Sequence, residues 1–282
     1  MQGRILVTGA TGTIGRELLH QLRSSTVAVR AGVRTLPSSE PQTHVEFAAI
    51  DFTEPDTLRA AMQGVDKLFL LTPNAFNAVE MATTAVAVAK ETGVTHIVRL
   101  SAYSDEEETT NPHRLVENVI EGSGLPYTFL RPGPFMQNFA LAFGAAIRAQ
   151  SALYEPLGDA RVSYIDTRDI AKAAAVVLTE PGHENRSYHL TGPEALSDTD
   201  IARILSEVTG RTIRYVDISE DDARSAFIGM GMPDMTIANI LRLYGLMRAG
   251  KRAQVSDAIE TLTGAKAGSF HTFAHDHRDA FV

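Results

Sequence analysis

Seven residues near the N-terminus, Gly9-Ala10-Thr11-Gly12-Thr13-Ile14-Gly15, constrain this chain more than any other stretch. The apolar run Arg4-Ile5-Leu6-Val7-Thr8 precedes them at once, and the amphipathic stretch Arg16 to Leu22 follows. Strand, glycine turn and helix in that order are the context a dinucleotide site requires. Gly9 permits a tight turn, Gly12 lets a pyrophosphate approach the backbone, and Gly15 lets the new helix lie close to the strand. The first N–H groups of that helix have no intrahelical partner and carry the positive end of its dipole, which suits an anion.

The second strand spans Val27 to Arg34 and decides which nucleotide is expected. A site for NAD(H) carries Asp or Glu about 20 residues beyond the glycines, where it accepts a hydrogen bond from the ribose 2′-hydroxyl. Arg34 stands 25 residues beyond Gly9. A guanidinium cannot accept that bond but pairs well with a 2′-phosphate. NADP(H) is therefore expected over NAD(H), with Ser38 and Ser39 as further donors; the alternative is a surface arginine at a strand end. Asp51, with Phe52 beside it, is placed to approach the adenine edge, or is a loop carboxylate.

Further along, strands and helices alternate. Val45 to Ala48, Asp66 to Leu71, Thr95 to Leu100 and Pro126 to Arg131 read as strands. Glu54 to Met62, Ala75 to Thr92 and Pro112 to Glu121 read as helices. This alternation predicts an α/β fold, a Rossmann-type doubly wound parallel sheet with right-handed crossovers. After Pro132-Gly133-Pro134 the regularity fades. Val162 to Ile165 and Asp166 to Leu178 read as one more strand and helix returning to the main sheet. The rest is mostly helical: Asp198 to Val208, Asp221 to Ile228, Met235 to Ala249 and Val255 to Thr263, with short strands at Ser187 to Leu190 and Ile213 to Val216. The expected domains are residues 1–134, joined by 162–179, for the nucleotide, and a smaller substrate-binding lobe, 135–282, at the sheet's C-terminal edge, where ligands of such sheets bind.

Composition narrows the function classes. The chain has 282 residues, 44% of them hydrophobic, and a net charge of −8 without a long basic run, which argues against a nucleic-acid partner. It has no cysteine, so thiol catalysis, disulfides and cysteine-held metals are excluded. No apolar run approaches the roughly 20 residues that span a bilayer, and the first strand begins too soon for a signal peptide. A cytoplasmic protein without a membrane or metal partner is expected. His271, His275 and His277 read as a solvated tail rather than metal ligands, and Asp166 and Asp169 as caps of the helix they precede. Met230, Met232 and Met235 are core filler or adaptable pocket lining.

The glycine motif, Arg34, Leu71-Thr72-Pro73 and the stretch Leu130-Arg131-Pro132-Gly133-Pro134-Phe135-Met136-Gln137-Asn138 together resemble the NmrA-like branch of the short-chain dehydrogenase/reductase superfamily. Within it the chain is most similar to NADPH-dependent quinone oxidoreductases and triphenylmethane-dye reductases. The resemblance implies that Gly9, Thr11, Gly12, Thr13, Ile14 and Gly15 hold the pyrophosphate and Arg34 the 2′-phosphate. It places Thr72, Pro73 and Asn74 at the nicotinamide ribose and Pro132 to Phe135 beside the nicotinamide ring. Phe135 and Asn138 then face the substrate.

The chain departs from the superfamily pattern at the proton-transfer pair. Ordinary members use Ser, Tyr and Lys, the last two four apart on a helix. With Glu117 aligned to the family glutamate, His113 takes lysine's place and Thr109 tyrosine's. Ser101 ends the relevant strand and counts with the cofactor set, but the neighbouring serine-type position is Ala102. Alcohol dehydrogenation, which needs a positioned base, is thereby disfavoured. His113 is a candidate for the ribose hydroxyls or for a proton relay, with Glu117 one turn away to fix its tautomer; the alternative is a helix-surface pair. Tyr103 is a second proton donor or lines the substrate pocket. The resulting expectation is an NADPH-dependent reductase of a flat conjugated small molecule such as a quinone. A non-catalytic NADP(H)-binding redox sensor of the NmrA type is the alternative, with a nucleotide-sugar epimerase third because it needs the absent base. Nothing in the sequence specifies an oligomer.

Overall fold

Burial on both faces explains why the strands of the main sheet are near-continuous apolar runs. The computed structural model describes residues 3–37, 45–73, 75–103 and 111–282. In chain order the elements begin β1 (Arg4–Val7), α1 (Thr13–Leu22), β2 (Ala28–Val33), β3 (Val45–Ala49), α2 (Pro55–Met62), β4 (Lys67–Leu70) and α3 (Ala78–Glu91). They continue with β5 (His96–Leu100), α4 (Pro112–Ser123), β6 (Tyr127–Pro132), a π-helical turn at Phe139–Phe143, α5 (Gly144–Gln150), β7 (Ala152–Glu155), α6 (Thr167–Thr179) and β8 (Arg186–Leu190). The last are α7 (Asp198–Thr209), β9 (Arg214–Asp217), α8 (Glu220–Gly229), α9 (Asp234–Arg248), α10 (Ala258–Thr263), α11 (Phe270–Asp276) and a short 3₁₀ turn at Arg278–Ala280.

The chain divides into two compact units. The first comprises residues 1–132, 167–190 and 258–265. Its described strands form a parallel seven-stranded sheet in the order β3-β2-β1-β4-β5-β6-β8. This is the expected α/β, doubly wound, Rossmann-type architecture. Helices α2, α3 and α4 cover one face through Leu58, Met62, Val86, Val116 and Ile120, and α1 packs against α6. Chain order reverses between β1 and β4, so their C-terminal ends flank the crevice where such sheets take ligands.

The second unit comprises residues 133–166, 191–257 and 266–282. It holds the parallel pair β7·β9 and mostly helix. Its core gathers Phe139, whose ring meets Tyr164 at 4.9 Å and Phe270 at 5.0 Å, both edge to face. Ile201, Leu205 and Leu241 pack in the same core.

Four readings of the sequence change. Ser187 to Leu190 does not belong to the lobe: within β8 it pairs with β6 as the seventh strand of the main sheet. Val162 to Ile165 makes only isolated bridges, Val162 to Leu196 and Ile165 to Phe135, and lies in the second unit. Periodicity records that a run is apolar but not which partner it meets. The helix read from Val255 starts only at Ala258 and belongs to the first unit. The C-terminal stretch is no solvated tail, since α11 buries Phe270 and Phe273 completely and leaves the exposed His271 and His275 on its other side.

Candidate functional site

The turn after β1 is shaped by backbone that no other residue fits. Gly9 has φ +65° and a Cβ there would stand 2.9 Å from the Leu71 side chain. A Cβ on Gly15 would lie 2.1 Å from the Gly9 carbonyl oxygen, so α1 rests directly on the turn. Thr11, Gly12 and Thr13 are exposed, while the Ile14 side chain turns into the core, leaving only its backbone to the open face. Gly12 precedes α1 without a capping side chain, and no acidic residue occupies the first turn. The helix N-terminus therefore presents uncapped N–H groups and an uncompensated dipole.

Arg34 lies one residue past β2 and is exposed. Asp51, at the end of the adjacent strand, is close enough to feel its charge. The Asp51 carboxylate accepts hydrogen bonds from the Thr53 N–H at 2.8 Å and the Thr53 hydroxyl at 2.6 Å. Those bonds, and then the Arg34 charge, hold its carboxyl below the usual range. Asp51 also braces the start of α2, its N–H bonding the Thr57 hydroxyl at 3.0 Å. Phe52 is half-buried against the core under α2.

Across the crevice, Thr72 is buried and Pro73 half-buried at the end of β4. Asn74, Ser38, Ser39 and Thr109 lie outside the described residues. Two groups that the sequence reading passed over hold this loop. The Thr8 hydroxyl accepts the Leu71 N–H at 2.8 Å and lies 3.1 Å and 3.0 Å from the carbonyls of Phe69 and Leu71. From the other flank Arg99 on β5 donates to the Leu70 carbonyl at 3.1 Å and the Thr72 hydroxyl at 3.4 Å. Burial pushes the Arg99 guanidinium down to about 10, against the opposing pull of Glu117. A charged residue inside the otherwise apolar Ile97-Val98-Arg99-Leu100 was the available signal.

Beyond β5, Ser101 is buried and Tyr103 half-exposed. The Tyr103 N–H bonds the Pro132 carbonyl at 2.9 Å, and its ring meets His189 edge to face at 4.7 Å. His113 sits in the first turn of α4, its N–H held by the Asn111 side chain at 3.0 Å. Glu117 does not serve as the tautomer-fixing partner expected for His113. Its oxygens take a two-pronged grip from Arg131, at 2.8 and 2.7 Å, and a bond from Arg114 at 3.0 Å. Burial opposes the Glu117 charge, but its hydrogen bonds, those from Arg131 foremost, outweigh that and keep the carboxyl below its usual range. Helical spacing brings residues four apart together, but two arginines outcompete a histidine for a buried carboxylate.

In the second unit, Phe135 is half-buried and bridged to Ile165, and Asn138 is exposed at the start of the π-helical turn. Between them Met136 enters the lobe core, and Gln137 donates to Asp166 at 2.8 Å. Met230 and Met235 are exposed, whereas Met232 packs on the core. Among the described residues, no cluster of His, Asp or Glu could hold a metal, and no helix is long and apolar enough to cross a membrane.

Comparison with known proteins agrees with this geometry. An NAD(P)H azoreductase of Xenophilus azovorans is 40% identical over 283 residues, covering 98% of this chain and 99% of that protein. The triphenylmethane reductase of Citrobacter sp., solved in complex with NADP(H), superposes with a TM-score of 0.88 at 27% identity, covering 97% of this chain and 99% of that one. An NADPH-dependent quinone oxidoreductase of Escherichia coli, solved with NADPH, gives 0.87 at 26% identity, covering 98% and 99%. The profile of the NmrA-like family matches residues 1–274. With the glycine turn, the parallel sheet and this likeness over nearly its whole length, the chain belongs to the NmrA-like family.

Proposed function

We propose that this chain is an NADPH-dependent reductase acting on a flat, conjugated electrophile, a quinone or dye. The observation that carries the reading is the uncapped N-terminus of α1 behind a turn that admits no Cβ at Gly9 or Gly15, with Arg34 just past the end of the neighbouring strand. These residues fit a dinucleotide. Backbone amides of residues 13–15 suit the pyrophosphate, Arg34 suits a 2′-phosphate, and Thr72 and Pro73 suit the nicotinamide ribose. The likeness to an azoreductase, a dye reductase and a quinone oxidoreductase supports the substrate class.

When bound, the cofactor supplies a hydride. The protein's own contribution is placement: the glycine turn orients the phosphates, and the Thr72 loop orients the ribose. We assign Tyr103 and His113 as the proton-bearing side chains and Phe135 and Asn138 as substrate residues. A strongly electrophilic acceptor takes its proton from water or from a weak donor, so the usual Tyr/Lys pair is dispensable.

The test is loss of NADPH absorbance with the purified chain and a panel of quinones, enones, azo dyes and triphenylmethane dyes, repeated with NADH. Turnover faster with NADPH is expected. Tight NADPH binding without turnover on the whole panel would replace the reductase with a redox sensor.

A further inference from the structure

We propose that Arg99 is a positioning residue. It fixes the Leu70–Thr72 segment and through it the nicotinamide-ribose end of the cofactor site, without touching the cofactor. The inference rests on the cofactor reading above and adds a residue to it.

All five residues of β5 are buried, and Arg99 retains only 3% of its exposure. A guanidinium in such a place is destabilising unless it is well bonded, and a hydrocarbon would fill the space at less cost. The bonds of Arg99 go to two acceptors at the end of the neighbouring strand, the Leu70 carbonyl and the Thr72 hydroxyl. Its Nε has no acceptor among the described residues. Glu117 offers it a favourable field, but the direct bonds of that carboxylate go to Arg131 and Arg114. The contacts Arg99 does make are thus concentrated on the loop.

The register explains the reach. Leu70 pairs with Arg99 across the parallel sheet, so the side chain starts beside the last residue of β4 and its fork extends past the strand end. The same loop is held from β1 by the Thr8 hydroxyl, and the Leu71 side chain closes over Gly9. Leu71 and Thr72 are therefore clamped between β1 and β5 at the point where the strand order reverses. The planar fork reaches the two acceptors from two separate nitrogens, a span that the single nitrogen of a lysine does not reproduce.

The experiment measures dissociation constants of the full chain for NADPH and for 2′,5′-ADP, which keeps the 2′-phosphate but lacks the nicotinamide ribose. Arg99→Met should weaken NADPH binding about tenfold and leave 2′,5′-ADP within about twofold, with Arg99→Lys in between. Thr72→Val should also lose NADPH affinity, and the loss in the double variant should fall short of the sum of the two, because both changes remove the shared Arg99–Thr72 bond. Parallel losses for both ligands, or unchanged NADPH affinity, would overturn the positioning role. If Arg99→Met does not fold, Arg99→Lys decides the matter by the same ratio. A wild-type chain that binds neither nucleotide overturns the cofactor reading, and this inference with it; wild-type binding with the wrong variant pattern overturns the positioning role alone.

Discussion

Arg34 is exposed and one residue beyond its strand, so whatever it binds is met at a solvent-facing edge where charge-assisted bonds are partly screened. Arg34→Ala should therefore weaken NADPH binding by about ten- to a hundredfold, the range a charged hydrogen-bond partner supplies, while NADH binding stays nearly constant. Equilibrium binding of both nucleotides checks it, and an equal loss for each would remove the arginine from the phosphate. This residue was legible because the strand-turn-helix context numbers its own positions. The charge of Arg99 inside an apolar strand marked the residue but not its role, since its acceptors lie on another strand and sequence spacing says nothing of that register.

At the scale of elements, the Glu117 carboxylate ties α4 to β6. It is fully buried, while Arg131 and Arg114 keep 17% and 31% of their side-chain exposure. Glu117→Gln would strip the charge that both arginines answer, and breaking such a pair from one side costs about 3 kcal/mol or more. Urea unfolding should show that loss; a change below about 0.5 kcal/mol would mean that solvent already carries the arginine charge. The sequence placed α4 and β6 well, because proline opens the helix and an apolar run makes the strand. It paired Glu117 with the wrong partner, because helical spacing reports only neighbours on the same helix, and Arg131 arrives from a strand.

At the scale of the whole molecule, the second unit carries a burden that the sheet does not. Glu155 on β7 and Asp198 at the start of α7 are buried in its core, and among the described residues no cation pairs with either. Tyr164, Tyr215 and Asp217 on β9, and Tyr244 on α9, face them. Arg248 of α9 is engaged by the Pro156 carbonyl at 2.9 Å and by Glu220 at 2.7 Å. Burial, then the charge of Asp217, pushes Asp198 up to about 7; burial, then the charge of Asp198, raises Glu155 well above the usual range. The folded state thus holds protons that the unfolded chain releases above about pH 4. Stability is fullest below that point and falls as pH rises through 7, the reverse of a salt-bridged carboxylate. Thermal midpoints of the wild type should drop by several degrees between pH 5 and 8, at about 2–4 °C per kcal/mol for chains approaching this size. Asp198→Asn should flatten that slope; a slope that persists would place its origin in other groups, and a flat wild-type profile would show that the acids are ionised in the folded lobe.

By itself the sequence determined the doubly wound sheet, the glycine turn and the kind of ligand its helix terminus suits. Those follow from local rules: apolar runs, an unoccupied Cβ and a missing acid at the strand end. The tertiary structure decided that Ser187 to Leu190 completes the main sheet, that α11 closes the core of the second unit, and which carboxylate each arginine meets. Those depend on register and on which apolar faces find each other across large separations in the chain. That is information a periodic pattern does not contain.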